Sequence, residues 1–276
     1  MTQQVALVTG AGGSIGTEIS KALAGAGFAI AVNDIKAEPA DACVAMLTAA
    51  GHRARSFLAD ISDAAAVNAM VADIEAEFGP LGALVNNAGV PGPFSLLVDL
   101  DDDVWARTLN VHLTGSFYLV RAVARRMIPR NVGRIVSIAS VAGLRGTVGS
   151  GEYGAAKAGM ICLTMTAAKE LAPFGITANA IAPGMVGTEI NRSLADQGSR
   201  FIQTALDATP DGSLVPPADI AGLVAYLCSP AAARINGVTM PIDGASTLEM
   251  GTDSYMRRSL GKRSPFLKGL ADDPSA

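Results

Sequence analysis

Val5-Ala-Leu-Val-Thr-Gly10-Ala-Gly-Gly-Ser-Ile-Gly16 decides the fold. A short apolar run rich in β-branched residues reads as a buried strand, and it stops at a turn built mostly of glycine. Beyond the turn, Ile15, Ile19, Ala22 and Leu23 recur at helical spacing, and Gly25 and Gly27 end the helix. Phe28-Ala-Ile-Ala-Val32 is a second strand, stopping at Asn33-Asp34. In a strand, glycine turn, helix, strand unit, the glycines let backbone approach a pyrophosphate, and the helix N-terminus faces its negative charge. Asp34, at the second strand's end, is placed to accept hydrogen bonds from a ribose diol. The alternative is a carboxylate that simply caps its loop.

The same alternation continues. Helices over about 38–50 and 63–78 flank a strand at Ala54–Leu58 that ends in Asp60-Ile61. Strand Ala83–Val85 leads into Asn86-Asn-Ala-Gly89, and a long helix over about 103–128 stops at Pro129. Strand Arg134–Ile138 precedes a Gly-rich loop and a helix over about 152–172. Strand Ile176–Ile181 is followed by Pro183-Gly184, a polar helical segment over about 188–208, a helix from Pro216 to Leu227 and a last strand, Val238–Ile242. Strands alternating with helices predict a parallel sheet covered on both faces. Ligands of such sheets bind beyond the carboxyl ends of the strands. Those ends carry the glycine turn, Asp34, Asp60, Asn86, Ser140 and Pro183-Gly184.

Tyr153 and Lys157 stand four residues apart, which stacks them on one helix face. A phenol with pKa about 10 is a weak acid near neutrality, and an adjacent cation lowers such a pKa by roughly 1–3 units. The pair therefore reads as a proton donor and acceptor, with the Ser140 hydroxyl beside it. A surface Tyr and Lys on an ordinary helix is the plain alternative.

Composition narrows the partners. A formal charge of −4 argues against nucleic acid or an anionic membrane. No charged-then-apolar leader precedes Val5, so no signal peptide is expected. The uncharged run 171–188 is broken by Pro173, Gly175, Pro183, Gly184 and Gly187, which argues against a membrane span. Cys43, Cys162 and Cys228 are spaced like small core residues of a reducing compartment, consistent with a cytoplasmic protein. With His52 and His112 as its two histidines and no Cys-x-x-Cys, the chain is expected to bind no metal.

Taken together, these motifs resemble the single-domain branch of the short-chain dehydrogenase/reductase family, from about Val5 to Ala245. The resemblance rests on Thr9-Gly10 with Gly16, Asp60, Asn86-Asn-Ala-Gly89, Asn110-Val111, Ser140, Tyr153-Gly-Ala-Ala-Lys157, Pro183-Gly184 with Thr188, and Asp243-Gly244. It implies an α/β fold, a Rossmann-type doubly wound seven-stranded parallel sheet in three αβα layers. One domain would span 1–246, with a lid over about 185–216 and a tail over 247–276 that is disordered or reaches a neighbouring subunit. Homotetramers or dimers formed through the helices of about 103–128 and 152–172 are implied too.

The resemblance also assigns roles. Tyr153 is similar to the catalytic acid/base, Lys157 to the residue that lowers its pKa and binds the nicotinamide ribose, Ser140 to the holder of the substrate oxygen, and Asn110 to the residue holding a proton-relay water. Gly10, Gly12, Gly13, Ser14, Ile15 and Gly16 would cradle the cofactor, with Asp34, Ile35, Asp60 and Ile61 along its adenosine half. Asn87, Ala88, Gly89, Tyr153, Lys157, Pro183, Gly184, Val186 and Thr188 would complete that site, the last two clamping the carboxamide. Ser14 departs from the family, which usually has Gly there. Val141, Leu144, Val148, Glu152, Met185 and Ile190 join Ser140 and Tyr153 as substrate contacts, although Glu152 is expected to face solvent at the helix start.

Asp34 would repel a 2′-phosphate, the glycine turn holds no base, and Ile35 stands where users of the phosphorylated cofactor often have Arg. The expected cofactor is NAD and the expected reaction a secondary alcohol/ketone interconversion. The rival enzyme is a 3-oxoacyl-thioester reductase. That role tends to place basic residues near the positions of Asn131 and Phe174, neither of which is basic here, although Arg130 and Arg134 lie close by. A dinucleotide-binding regulator without chemistry is the remaining alternative. Replacing Asp34 with Ala should lower kcat/KM for NAD and raise acceptance of NADP, measured with both cofactors in parallel; an unchanged NAD value would refute the role given to Asp34.

Overall fold

Buried on both faces, the central strands of the sheet are built mainly of apolar side chains, and that property fixes the architecture. The computed structural model describes residues 3–250 together with 252, 253, 256, 259, 260 and 262–264. In chain order its first elements are β1 (Val5–Thr9), α1 (Ser14–Gly25), β2 (Ala29–Asp34), α2 (Ala37–Ala49), β3 (Ala54–Leu58), α3 (Ala64–Asp73) and β4 (Leu81–Asn86). Then come α4 (Asp102–Leu109), α5 (Gly115–Met127), β5 (Gly133–Ile138), α6 (Gly151–Leu171) and β6 (Ile176–Pro183). The chain continues through α7 (Glu189–Asp196), α8 (Arg200–Asp207), α9 (Pro217–Cys228) and β7 (Thr239–Ile242).

All strands run parallel in the order β3-β2-β1-β4-β5-β6-β7. The chain winds outward from β1 to β3, then returns to lay β4 on the other side of β1. That reversal opens a crevice at the carboxyl ends of β1 and β4. The edge strands β3 and β7 are the less buried ones, as strands with one open side should be. Helix α1 packs on α9 and α2, while α3, α5 and α6 form the other set. Leu7, Leu84 and Ile135 meet Val67, Leu119, Val123 and Leu171 in the larger core.

By contacts the chain gathers into two compact units, Met1–Pro183 with Pro216–Ile242, and Gly184–Val215 with Asp243–Ala276. The first holds the whole sheet. In the second, Thr188 caps α7 by accepting from the Asn191 N–H at 3.3 Å, and Val186 pairs with Val215. Asp243 caps the turn after the sheet, accepting from the N–H groups of Ala245 (3.1 Å) and Thr247 (2.8 Å). The expected tail, with Tyr255, Arg257 and Arg258 and everything from 265 onward, lies largely outside the described residues.

Three expectations change. The long helix of 103–128 is interrupted by a π turn at Asn110–Thr114, and the helical segment of 188–208 is two helices, α7 and α8. Cys162 is exposed on α6, whereas Cys43 and Cys228 are buried as expected. The helical spacing of Cys162 was right, but its face of α6 is turned outward. No described helix is long and apolar enough to cross a membrane.

Gly16 carries the tightest constraint in the nucleotide unit. A Cβ there would overlap the Gly10 carbonyl oxygen and lie 2.7 Å from Ala11 Cα, both of them backbone. A Gly16→Ala chain should therefore lose about 1–3 kcal/mol of stability, seen as a lowered urea midpoint.

Candidate active site

The cofactor side is built first by the turn after β1. Gly10 has φ +59 and faces Ala88 Cα, so both the left-handed backbone and the close approach demand glycine. Gly12 lies against Pro39, where a Cβ would come within 2.5 Å, so its part is packing on α2. Gly13 is the N-cap of α1 and has no side chain to cap the helix, which leaves the first amides directed at the turn. Ser14 and Gly13 are exposed. Thr9 Oγ1 accepts from the N–H groups of Asn87 (3.0 Å) and Ala88 (3.1 Å), and Asn87 Nδ2 donates to the carbonyls of Thr9 (2.9 Å) and Gly10 (3.2 Å). These bonds fasten the loop after β4 to the glycine turn.

Asp34 ends β2 with its carboxylate turned toward that turn, accepting from the N–H groups of Gly12 and Lys36 at 3.2 Å each. Ile35 beside it is exposed. Asp60 accepts from the Ser62 N–H (2.8 Å) and hydroxyl (2.7 Å), a local turn, and the Ile61 side chain is buried in the core against Gly115. The side chain of Ile61 is thus unavailable to a ligand. In the second unit, the Val186 carbonyl accepts from Asn191 Nδ2 at 2.8 Å, and the Thr188 hydroxyl is the cap of α7.

The chemical side lies between the ends of β5 and α6. Ser140 has extended backbone, accepts at Oγ from the Ala142 N–H (3.1 Å), and hydrogen-bonds Tyr153. Gly143 packs so closely on Lys157 that a Cβ would lie 2.7 Å from its carbonyl carbon. Lys157 is buried, and its Nζ donates to the Ile138 carbonyl at 2.7 Å. Burial pushes this ammonium down to about 7 and pushes the Tyr153 phenol up, with the Ser140 hydrogen bond opposing the latter. The expected lowering of Tyr153 by Lys157 is absent in this state. Desolvation outweighs the Ser140 hydrogen bond, and Lys157 Nζ sits 5.6 Å from the phenol's ring centre.

Asn110 is exposed, while His112 is buried and meets Tyr153 edge-on, with ring centres 5.3 Å apart and planes at 86°. Both residues lie in the π turn. A histidine in an otherwise apolar stretch was the available signal. Its ring is pressed by Gly89, where a Cβ would overlap Cε1. Burial first, then Lys157, hold the imidazole down to about 4, against a hydrogen bond to the Val90 backbone that raises it. Glu152 is buried rather than solvent-facing, with neither carboxylate oxygen hydrogen-bonded among the described residues. It lies under the loop after β4, and a Cβ on Gly92 would overlap Oε1. Of the other substrate candidates, Val141 is half-buried while Leu144 and Val148 are exposed beside this site, Met185 belongs to the second unit, and the side chain of Ile190 lies outside what is described.

A hydroxyl, a phenol and a buried amine at one strand end, facing a glycine turn and an acid at the others, match a family of known enzymes. The family model described as short chain dehydrogenase matches residues 4–198. The chain belongs to the short-chain dehydrogenase family. A 3-oxoacyl-[acyl-carrier-protein] reductase of a Synechocystis species is 38% identical over 251 residues, 90% of this chain and 98% of the relative. A solved NAD+-bound xylitol dehydrogenase superposes with TM-score 0.83 at 37% identity, covering 87% of this chain and 98% of the other. An actinorhodin polyketide ketoreductase with NADPH gives TM-score 0.83 at 33% identity, covering 88% and 97%.

As a short-chain dehydrogenase the chain is an oxidoreductase that binds a nicotinamide dinucleotide, and its residues fit that group. The uncapped α1 N-terminus and the glycine cradle suit a pyrophosphate, and Asp34 suits a ribose. Among the described residues, no cluster of His, Cys, Asp and Glu could hold a metal ion.

The lowered imidazole has a consequence for stability. Between its ordinary 6.5 and about 4, the unfolded chain binds a proton at His112 that the folded chain refuses. Stability from this group is therefore full above pH 6.5 and is lost as pH falls toward 4, by up to about 3 kcal/mol. The urea midpoint of a His112→Gln chain should fall less steeply over that window than that of the parent.

Proposed function

We propose that this short-chain dehydrogenase interconverts a secondary alcohol and a ketone with NAD(H). The observation that carries the reading is the hydrogen-bonded Ser140 and Tyr153 with Lys157 enclosed behind them. In the oxidising direction, the Ser140 hydroxyl holds the substrate oxygen and Tyr153, having first released its own proton, takes the proton from the alcohol as a phenolate. When bound, the cofactor supplies the hydride acceptor, so the carbinol carbon loses a hydride as its oxygen loses a proton. Lys157, titrating near neutrality, is the neighbour that passes charge and proton balance between the phenol and the cofactor's ribose. The phenol's raised pKa makes it the protonated partner in the reducing direction.

NAD is favoured over NADP by Asp34, whose carboxylate bonds the Gly12 amide inside the glycine turn and would meet a 2′-phosphate with like charge. The NAD+-bound xylitol dehydrogenase accords with this choice, and the NADPH-bound ketoreductase marks the alternative. A 3-oxoacyl-thioester reductase is the second reading, supported by the Synechocystis relative. Against a carrier protein as partner, Arg130 is already held by both Glu75 oxygens (2.8 and 2.9 Å) and the Leu81 carbonyl (2.8 Å). Arg134 is likewise spent on the carbonyls of Gly133 and Gly175. Glu152, buried without a hydrogen-bond partner among the described residues, favours a substrate that brings a second hydrogen-bond donor, such as a further hydroxyl. Exposed Trp105, Phe117 and Met165 on α4, α5 and α6 support assembly into a homotetramer or dimer through those helices.

The deciding assay is a panel of secondary alcohols, polyols and ketones, followed in the reduced nicotinamide absorption band with NAD and NADP. Turnover should favour NAD and a polyhydroxy substrate, and Tyr153→Phe should cut it by ~10²-fold or more. Full activity of that variant on any accepted alcohol would overturn the acid/base assignment.

A further inference from the structure

From Val104 to Gly151 the chain holds seven arginines and no acid, against a formal charge of −4 for the whole. Arg130 and Arg134 are held by the bonds described above, and Arg121 lies over the rings of Phe117 and Tyr118, 4.8 and 5.3 Å from their centres. Arg125 and Arg126 differ. Both are exposed in the last turn of α5, and among the described residues neither has a hydrogen bond, an ion pair or a ring contact.

The two guanidiniums border one cavity. It measures about 280 Å³ and is lined by Ala122, Arg125 and Arg126 from α5 with Asn68 and Val71 from α3. Ala122 and Val71 are buried and supply an apolar floor, while the three polar side chains stand exposed around it. The helix dipole favours a basic residue in a last turn, which accounts for a cation there but not for a hollow lined by two of them and an amide. Arg130, just past α5, donates to the carbonyl of Leu81, the first residue of β4. The last turn of α5 therefore stands at the amino ends of the strands, and the catalytic crevice lies at the other end. The cavity also opens on the α3 side of α5, whose other helical neighbour is α6.

We propose that this cavity binds a compact organic polyanion, one that carries phosphate or several carboxylates. An arginine fork presents two parallel N–H donors that match an oxyanion, so two adjacent forks hold either two anionic groups or one multiply charged group. The Asn68 amide adds a further donor. At about 280 Å³ the space falls just under the ~300–1,000 Å³ of drug-sized ligand pockets, which suits a small molecule rather than a segment of a partner protein. The acids near α3 do not neutralise the site. Glu75, in the turn after that helix, already has both oxygens on Arg130 at 2.8 and 2.9 Å, and Asp73 pairs with neither arginine. An anion that displaces water here gains charge-assisted bonds above a floor of low polarity, where such bonds are stronger than in bulk solvent.

Calorimetric titration of the full-length protein tests this, with a nicotinamide dinucleotide present at saturation so that the uncapped N-terminus of α1 is occupied and cannot take the probe. Citrate and inorganic pyrophosphate are the probes, separating carboxylate from phosphate, and chloride holds the ionic strength constant. The parent should bind at least one of them saturably. Replacing Arg125→Gln and Arg126→Gln together should weaken that binding by about tenfold or more. Asn68→Trp, which fills the cavity and leaves the charge alone, should weaken it to a similar extent. Replacing Arg55→Gln and Arg107→Gln, which removes two positive charges elsewhere, should change it by less than about twofold.

No saturable heat with either probe up to about 10 mM would overturn the proposal. Equal weakening by the two double variants would overturn it as well, since bulk charge would then explain the binding. Binding that needs both arginines yet survives Asn68→Trp would move the site to an open cationic surface, of the kind that meets an acidic protein, and the cavity would be refuted. The alcohol/ketone reading stands or falls on turnover and is untouched by these outcomes.

Discussion

The ammonium of Lys157 has exchanged water for a single carbonyl, that of Ile138 at the end of β5, at 2.7 Å. Burying a cation is costly unless a strong acceptor meets it, so this bond pins the first turns of α6 to the strand edge. Everything chemical follows from the pin. Tyr153, one turn earlier, is held within reach of Ser140, and Gly143 closes over the lysine stem so tightly that a side chain there would strike backbone. The same burial that fixes the lysine brings its pKa to about 7, which makes it a group able to change charge at ordinary pH.

A second set of fastenings joins the two halves of the crevice. Thr9 and Asn87 tie the glycine turn to the end of β4, and His112 ties the loop after β4 to Tyr153. The cofactor wall and the acid/base wall therefore share a single loop, 87–90, with hydrogen bonds on one side and an aromatic edge on the other. Few of these groups are free to relax independently. Glu152 is the exception in kind, a carboxylate shut under Gly92 with no donor among the described residues, and such a group derives its meaning from what binds beside it.

Much of this was legible before any coordinates. Uninterrupted apolar runs named the central strands, and their order with helices named a parallel sheet with a single ligand edge. Asp34, Gly10, Gly16, Ser140, Tyr153 and Lys157 could be placed at that edge from spacing alone, because a strand end and one helical turn are short-range facts. His112 beside Tyr153 was not legible in the same way. A π turn adds a residue to the helical repeat, and no local pattern of side chains announces it. Ile61 and Glu152 show the related limit: burial belongs to what packs on top.

By itself the sequence determined the fold and which residues gather at the carboxyl ends of its strands, the proposed acid/base pair among them, since alternation, glycine turns and an i, i+4 pair are local consequences of backbone geometry. Tertiary structure alone decided which groups are deprived of water. It set Lys157 near neutrality, kept the Tyr153 phenol protonated, turned His112 inward and left Glu152 without a partner. Proton affinity depends on the atoms gathered around a group from distant parts of the chain, and those neighbours exist only once β5, α6 and the loop after β4 have come together.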